Sequence, residues 1–285
     1  MPLPEAVGEV CPACGVENTG EARACAQCGL PVSTRKEGEL PPAPPEAPSL
    51  PPRDLKGLIR ESFRVYRRQF ASLVILAFIP QVPALISLAV PEWLALIFSV
   101  AGILIAFVVL GAAFRLVALD YLGQEVDPFK CFGGALGRAA PLIFVGILFS
   151  LALIASLVLA LILVGIPLFF YLMVSLFFAE GSVMMEGKGA VDALERSWHL
   201  VKGSWWRVFG IGVAFVLVTI VLWIPALIFS GLAVLINDTA GGVVALICGA
   251  LISPVSMVGT ALVYFDLRAR KEGYSLERMA AEVES

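Results

Sequence analysis

The sequence predicts an all-α integral membrane protein: six transmembrane helices in three hairpins, each preceded by an interfacial amphipathic helix, behind a small N-terminal four-cysteine zinc ribbon. Three observations predict it. Of 285 residues, 59% are hydrophobic and 15% charged, where soluble domains hold about 45–50% apolar and about 25% charged residues. Long uncharged runs cover 71–90, 93–114, 139–179, 208–237 and 239–265, and a helix needs about 20 apolar residues to cross the hydrocarbon. Four of the six cysteines are gathered near the N-terminus in two CxxC pairs. A mean hydropathy of +0.90 excludes a soluble globular or disordered chain.

Residues 1–38 form the predicted ribbon. The opening MPLPEAVGEV lacks the basic start and apolar core of a secretory signal, which predicts that the head stays in the cytosol. Cys11-Pro-Ala-Cys14-Gly and Cys25-Ala-Gln-Cys28-Gly have the spacing of a four-cysteine zinc site. Two sulfurs three positions apart on a tight turn reach one ion at about 2.3 Å, and two such turns close a tetrahedron. Gly15 and Gly29 let the backbone fold back toward the thiolates. Disulfides or a redox pair would use the same residues, but the reducing cytosol and the lack of a flanking βαβ pattern favour one structural Zn2+ per chain. All four ligands come from the protein, so no position is left open for water activation. Residues 1–38 sum to a net charge of -2, five Glu against three Lys and Arg. Nucleic acid requires a basic footprint, so a protein partner or a purely structural head is expected instead. Cys131 and Cys248 are isolated and read as packing residues.

Residues 39–53 carry seven prolines. At about 3.1 Å per residue they read as a polyproline-like spacer up to roughly 45 Å long.

The membrane domain is predicted over 54–285, with a cytosolic C-terminal tail. The 41-residue run 139–179 would be roughly 62 Å long as one helix. It therefore reads as two spans with Gly165-Ile166-Pro167 as the turn, which brings the count to six. All 20 Lys and Arg fall on one side of this arrangement, and the positive-inside rule places both termini in the cytoplasm.

Each pair of spans is preceded by a segment of helical periodicity. Leu55, Ile59, Phe63, Tyr66 and Phe70 form one side of the first, with Arg60, Arg64, Arg67 and Arg68 around the other and Asp54 placed as its cap. In the third, Val191, Leu194, Trp198, Val201 and Trp205 recur at helical steps opposite a polar face that includes Lys202. The middle segment from Asp127 follows this plan loosely. Basic residues meet anionic headgroups and Trp198, Trp205 and Trp206 suit the headgroup level, so membrane lipids are expected partners. Anchoring alone would need the same residues.

Polar groups near the spans are few. Arg115, Asp120, Glu180 and Asp266 sit close to predicted cytosolic ends, and Gln81 lies between Pro80 and Pro83 in the first span. Such groups are functional candidates by default, although long side chains also snorkel to water. An Arg115–Glu180 ion pair is conceivable. No Ser/His/Asp set, Walker loop or paired intramembrane carboxylates can be found, and the single histidine, His199, has no ligating partner nearby in sequence.

Glu186-Gly187, the stretch Ala193-Leu194-Glu195-Arg196-Ser197-Trp198 with Leu200, and the run from Tyr264-Phe265-Asp266-Leu267-Arg268 to Gly273-Tyr274 carry a resemblance. Over roughly 54–280 the chain resembles the membrane domain attached to some bacterial glycerophosphoryl diester phosphodiesterases. The head resembles zinc ribbons fused to bacterial membrane proteins. The resemblance implies the membrane architecture and not the hydrolase, because no residues remain for the catalytic barrel. The expected role is a non-enzymatic inner-membrane protein that recruits or organises a protein partner in envelope or lipid homeostasis. The alternatives are a transporter or lipid translocator, and an accessory membrane subunit of a lipid hydrolase.

Overall fold

The computed structural model describes residues 9–10, 16–18, 25–28, 50, 52–159 and 165–284. The chain divides into two units, Met1–Glu46 and Ala47–Ser285.

In the first unit, β1 (Glu9–Val10) and β2 (Glu17–Asn18) pair antiparallel, Glu9 opposite Asn18 and Val10 opposite Glu17. The strands bracket the segment holding Cys11 and Cys14, which lie outside the described residues, as does most of the proline spacer. Cys25 is buried at the start of a turn over residues 26–28, and Cys28 is exposed. Among the described residues no group of three or more His, Cys, Asp or Glu is arranged to hold a metal.

The second unit is helical. Asp54 caps α1 (Leu55–Arg68) by accepting the Gly57 N–H at 2.9 Å, as its position in the sequence predicts. α2 (Phe70–Phe78) and α3 (Gln81–Ser87) follow, bent by 42° relative to each other. A single straight span over 71–90 is therefore not what forms. Pro80 has no N–H to donate and its ring crowds the preceding turn, so the helix breaks there. Phe70, assigned by periodicity to the first amphipathic helix, instead begins α2.

α4 (Glu92–Tyr121), α5 (Pro128–Leu136) and α6 (Ala139–Leu159) come next, then α7 (Gly165–Leu176), α8 (Ala179–Glu186) and α9 (Ala190–Val201). α10 (Trp205–Val234), α11 (Asp238–Glu272) and α12 (Leu276–Glu284) complete the unit. Among the described residues, five stretches are long and apolar enough to cross a membrane, six if α2 and α3 count as one broken span. The second unit is thus all-α, with the spans of a multi-pass membrane protein.

Three boundaries depart from expectation. Gly165-Ile166-Pro167 forms the first turn of α7 and not a loop, which proline tolerates because first-turn N–H groups have no helical acceptor. Asn237, where a turn over residues 237–242 is expected between the last two uncharged runs, caps α11 by accepting the Ala240 N–H at 2.7 Å, so the residues after it are helical. α9 stops at Val201, before Gly203 at φ +83°, and Trp205 opens α10. Glycine alone reaches that backbone region without strain.

α4 and α11 run through the middle of the unit, where Phe114, Leu116, Leu262 and Tyr264 are fully enclosed. Small residues let the helices close up. A Cβ on Gly146 would meet the Phe107 ring at 2.5 Å, one on Gly181 would meet Phe114 at 2.7 Å, and one on Gly259 would meet Phe215 at 2.4 Å. α10 packs chiefly on α11, leaving Val216, Leu217, Ile220, Val221, Ile224 and Leu227 exposed. An apolar face of that size needs hydrocarbon beside it.

Candidate functional site

The charged residues at one end of the bundle form two ion-pair clusters and a smaller pair. Asp266, buried on α11, accepts the backbone N–H of Arg53 at 2.7 Å, Arg207 Nη1 at 2.7 Å and Arg270 Nε at 3.0 Å. Arg207 and Arg270 also donate to the Arg53 carbonyl, at 2.8 and 2.7 Å. One carboxylate thus ties the ends of α10 and α11 to the chain entering α1. The Leu50 N–H adds a bond to the Tyr274 carbonyl at 3.1 Å, gripping the same segment a second time.

In the second cluster Glu186 accepts from Arg196 Nε at 2.9 Å and from the Tyr264 hydroxyl at 2.8 Å. Arg268 forks onto Glu282 with two bonds of 2.7 Å while lying over the Tyr274 ring at 3.9 Å. Such two-pronged pairs fix orientation as well as energy. Tyr274 donates to Glu282 at 2.6 Å, and burial, then that bond, holds its phenol well above the ordinary range. Gly187 and Gly273, at φ +66° and +59°, close α8 and α11 in the left-handed conformation.

Asp120 accepts from Arg68 Nε at 2.7 Å and from Gln69 Nε2 at 2.9 Å, and this hydrogen bonding raises the Arg68 pKa. The four arginines predicted on α1 are therefore not equivalent. Arg64 pairs with Glu61 at 2.6 Å and stays 60% exposed, whereas Arg60 and Arg67 have no ion-pair partner among the described residues. Around Phe63 the four line one open concavity.

The remaining polar candidates do not converge. Arg115 is half-buried on α4 against Gly134 of α5, and no Arg115–Glu180 pair forms. Glu180 is buried on α8, and among the described residues neither its Oε2 nor Ser182 Oγ has a hydrogen-bond partner. Gln81 stands where α3 begins, half-buried and facing Gly249 of α11.

Between α7, α10 and α11 lies a cleft of about 680 Å³. Met173, Phe177, Phe215, Ile220 and Trp223 are among its walls. Its few hydroxyls are already bonded, Thr219 to Ser256 at 3.2 Å and Thr260 to the Ser256 carbonyl at 2.9 Å. A cavity of this size and apolarity suits a hydrocarbon chain. At one end of it, Trp205 stacks on Phe209 at 5.1 Å and donates to the Tyr171 carbonyl at 3.4 Å, while Trp198 meets the Tyr171 ring edge-on at 5.0 Å. Trp206 is 79% exposed, and the Lys202 carbonyl accepts from Lys271 Nζ.

Sequence reasoning listed Asp266 but missed Arg53, Glu186, Arg196, Arg268, Tyr274 and Glu282 as members of a lock. The available signal was the density of charge and aromatic residues over 264–274. Residues 93–265, more than half the chain, match the family described as Domain of unknown function (DUF7847). No curated protein and no solved structure matches the chain.

Proposed function

The chain belongs to this family of undefined function, and we propose that it is a non-enzymatic protein of a bacterial inner membrane that holds a partner at its cytosolic face, in envelope or lipid homeostasis. The observation that carries this is the grip on Leu50 and Arg53. Asp266, Arg207, Arg270 and the Tyr274 carbonyl seize the root of the tether that leads to the cysteine-rich head. The chain that leads to the head is thereby fixed where it joins the helical unit.

In this reading Cys11, Cys14, Cys25 and Cys28 carry one structural Zn2+, which supplies folding energy to a head with little core of its own. The buried Cys25 and the strands that bracket Cys11 and Cys14 fit that role. α2 with α3 makes the sixth span, and α1, α5 and α9 lie in the interface ahead of three hairpins. Both termini face the cytoplasm, in line with the one-sided placement of Lys and Arg. Three of the four carboxylates named near the spans, Asp120, Glu186 and Asp266 but not Glu180, hold helix ends together, which supports a scaffold over a catalyst.

In-cell crosslinking tests the proposal. The full chain should capture a discrete partner that a chain lacking residues 1–46 does not. Equal capture by both, or hydrolysis of glycerophosphodiesters by the purified protein alone, would refute it.

The cleft favours a second reading, a lipid translocator or an accessory subunit of a lipid hydrolase. Gly212 lines the cleft with open space beside it. Gly212→Trp should therefore abolish phospholipid flux in reconstituted vesicles without disturbing the fold. Unchanged flux would exclude translocation through this cleft.

A further inference from the structure

Arg60, Arg64 and Arg67 follow one another at steps of four and three, which puts them on one side of α1 with Phe63 among them. Arg68 completes the wall of the concavity, but its guanidinium is turned onto Asp120. Glu61 faces the group and hydrogen-bonds Arg64, and among the described residues Arg60 and Arg67 have no ion-pair partner. α1 passes through Gln69 directly into Phe70 of α2, the first apolar segment, so this cluster meets the bilayer at headgroup depth. Arginine forks match phosphate oxygens two at a time, and a half-buried ring between them offers an apolar floor.

We infer that Arg60, Arg64 and Arg67, around Phe63, form a binding site for the phosphate of an anionic phospholipid headgroup. Arg68 is a positioning residue that fixes the wall of the site through Asp120. The site rests on the interfacial placement of α1 and not on recruitment of a partner, so lipid binding and partner capture are read separately.

The test is native mass spectrometry of the delipidated full chain in detergent, titrated with phosphatidylglycerol or phosphatidylcholine. Wild type should prefer phosphatidylglycerol. Each cation lost should weaken binding about fivefold, equivalent to about 1 kcal/mol near an anionic surface, so Arg60→Gln with Arg67→Gln should weaken it about 25-fold. Lys130→Gln with Arg278→Gln removes two exposed cations elsewhere and should leave affinity within about twofold. Should the first pair fail to fold, Arg60→Lys with Arg67→Lys keeps the charge and should still weaken binding severalfold, because an ammonium cannot fork. Equal binding of the two lipids, equal losses in the Lys130/Arg278 pair, an unweakened lysine variant, or displacement of the lipid by millimolar inorganic phosphate would each overturn the assignment.

Discussion

Asp266→Asn tests the lock on the tether with the least change in shape. The carboxylate accepts three hydrogen bonds, from the Arg53 N–H at 2.7 Å, Arg207 at 2.7 Å and Arg270 at 3.0 Å. Asn keeps one acceptor for the backbone amide, but its NH2 group then faces two guanidinium donors. Two charge-assisted bonds are lost, each worth about 1.5–3 kcal/mol. Arg207 and Arg270 are 32% and 37% exposed, so water recovers part of the loss. The expected destabilisation is about 2–4 kcal/mol, below the about 3–5 kcal/mol for breaking a fully buried pair. Thermal unfolding in detergent, followed by tryptophan fluorescence, measures the loss. Hydrogen exchange locates it, since the Leu50 and Arg53 amides should lose protection while the middle of α4 keeps it. Unfolding within about 0.5 kcal/mol of wild type, the range of an ordinary surface substitution, together with unchanged exchange, would show that Asp266 does not hold the tether.

Gly146→Ala should destabilise the α4–α6 contact by about 1–3 kcal/mol, because three carbons at the base of the Phe107 ring would lie 2.5–2.6 Å from the new methyl; unchanged unfolding would refute that packing. Burial pushes the Cys131 thiol up to about 11. Its reactive thiolate is then about one part in a thousand at pH 8, so a maleimide should label Cys131 only after unfolding or as pH approaches that value. Mass spectrometry of the labelled chain reads this, and rapid labelling at pH 8 would contradict the burial. Metal analysis of the full chain should find one Zn2+, and Cys25→Ser should lose it; a metal content unchanged by that substitution would exclude the four-cysteine site.

The spans and several helix ends were legible in the sequence because they depend on neighbours along the chain. Asp54 caps α1 from three residues away, and the charge-free runs had to leave water whatever they packed against. Pro80 was visible too, yet whether it would bend a span or break it depended on what α3 meets next. The end of α9 was misjudged because Trp205 continues the apolar period while Gly203 interrupts the backbone. Periodicity reports which face is apolar and is blind to a single left-handed residue.

The lock was not legible. Arg53 and Asp266 are 213 residues apart, Glu186 and Tyr264 are 78 apart, and Arg68 and Asp120 are 52 apart. A carboxylate in a sequence offers itself to every cation, and only the crossing of α1, α10 and α11 selects which of them it takes. By itself the sequence determined that the chain lives in a membrane, because transfer of apolar residues from water is a sum over residues and needs no tertiary information. Which arginines brace the fold and which remain available to a ligand was decided by tertiary structure alone, because ion pairing acts over a few ångströms between segments that the chain brings together from far apart.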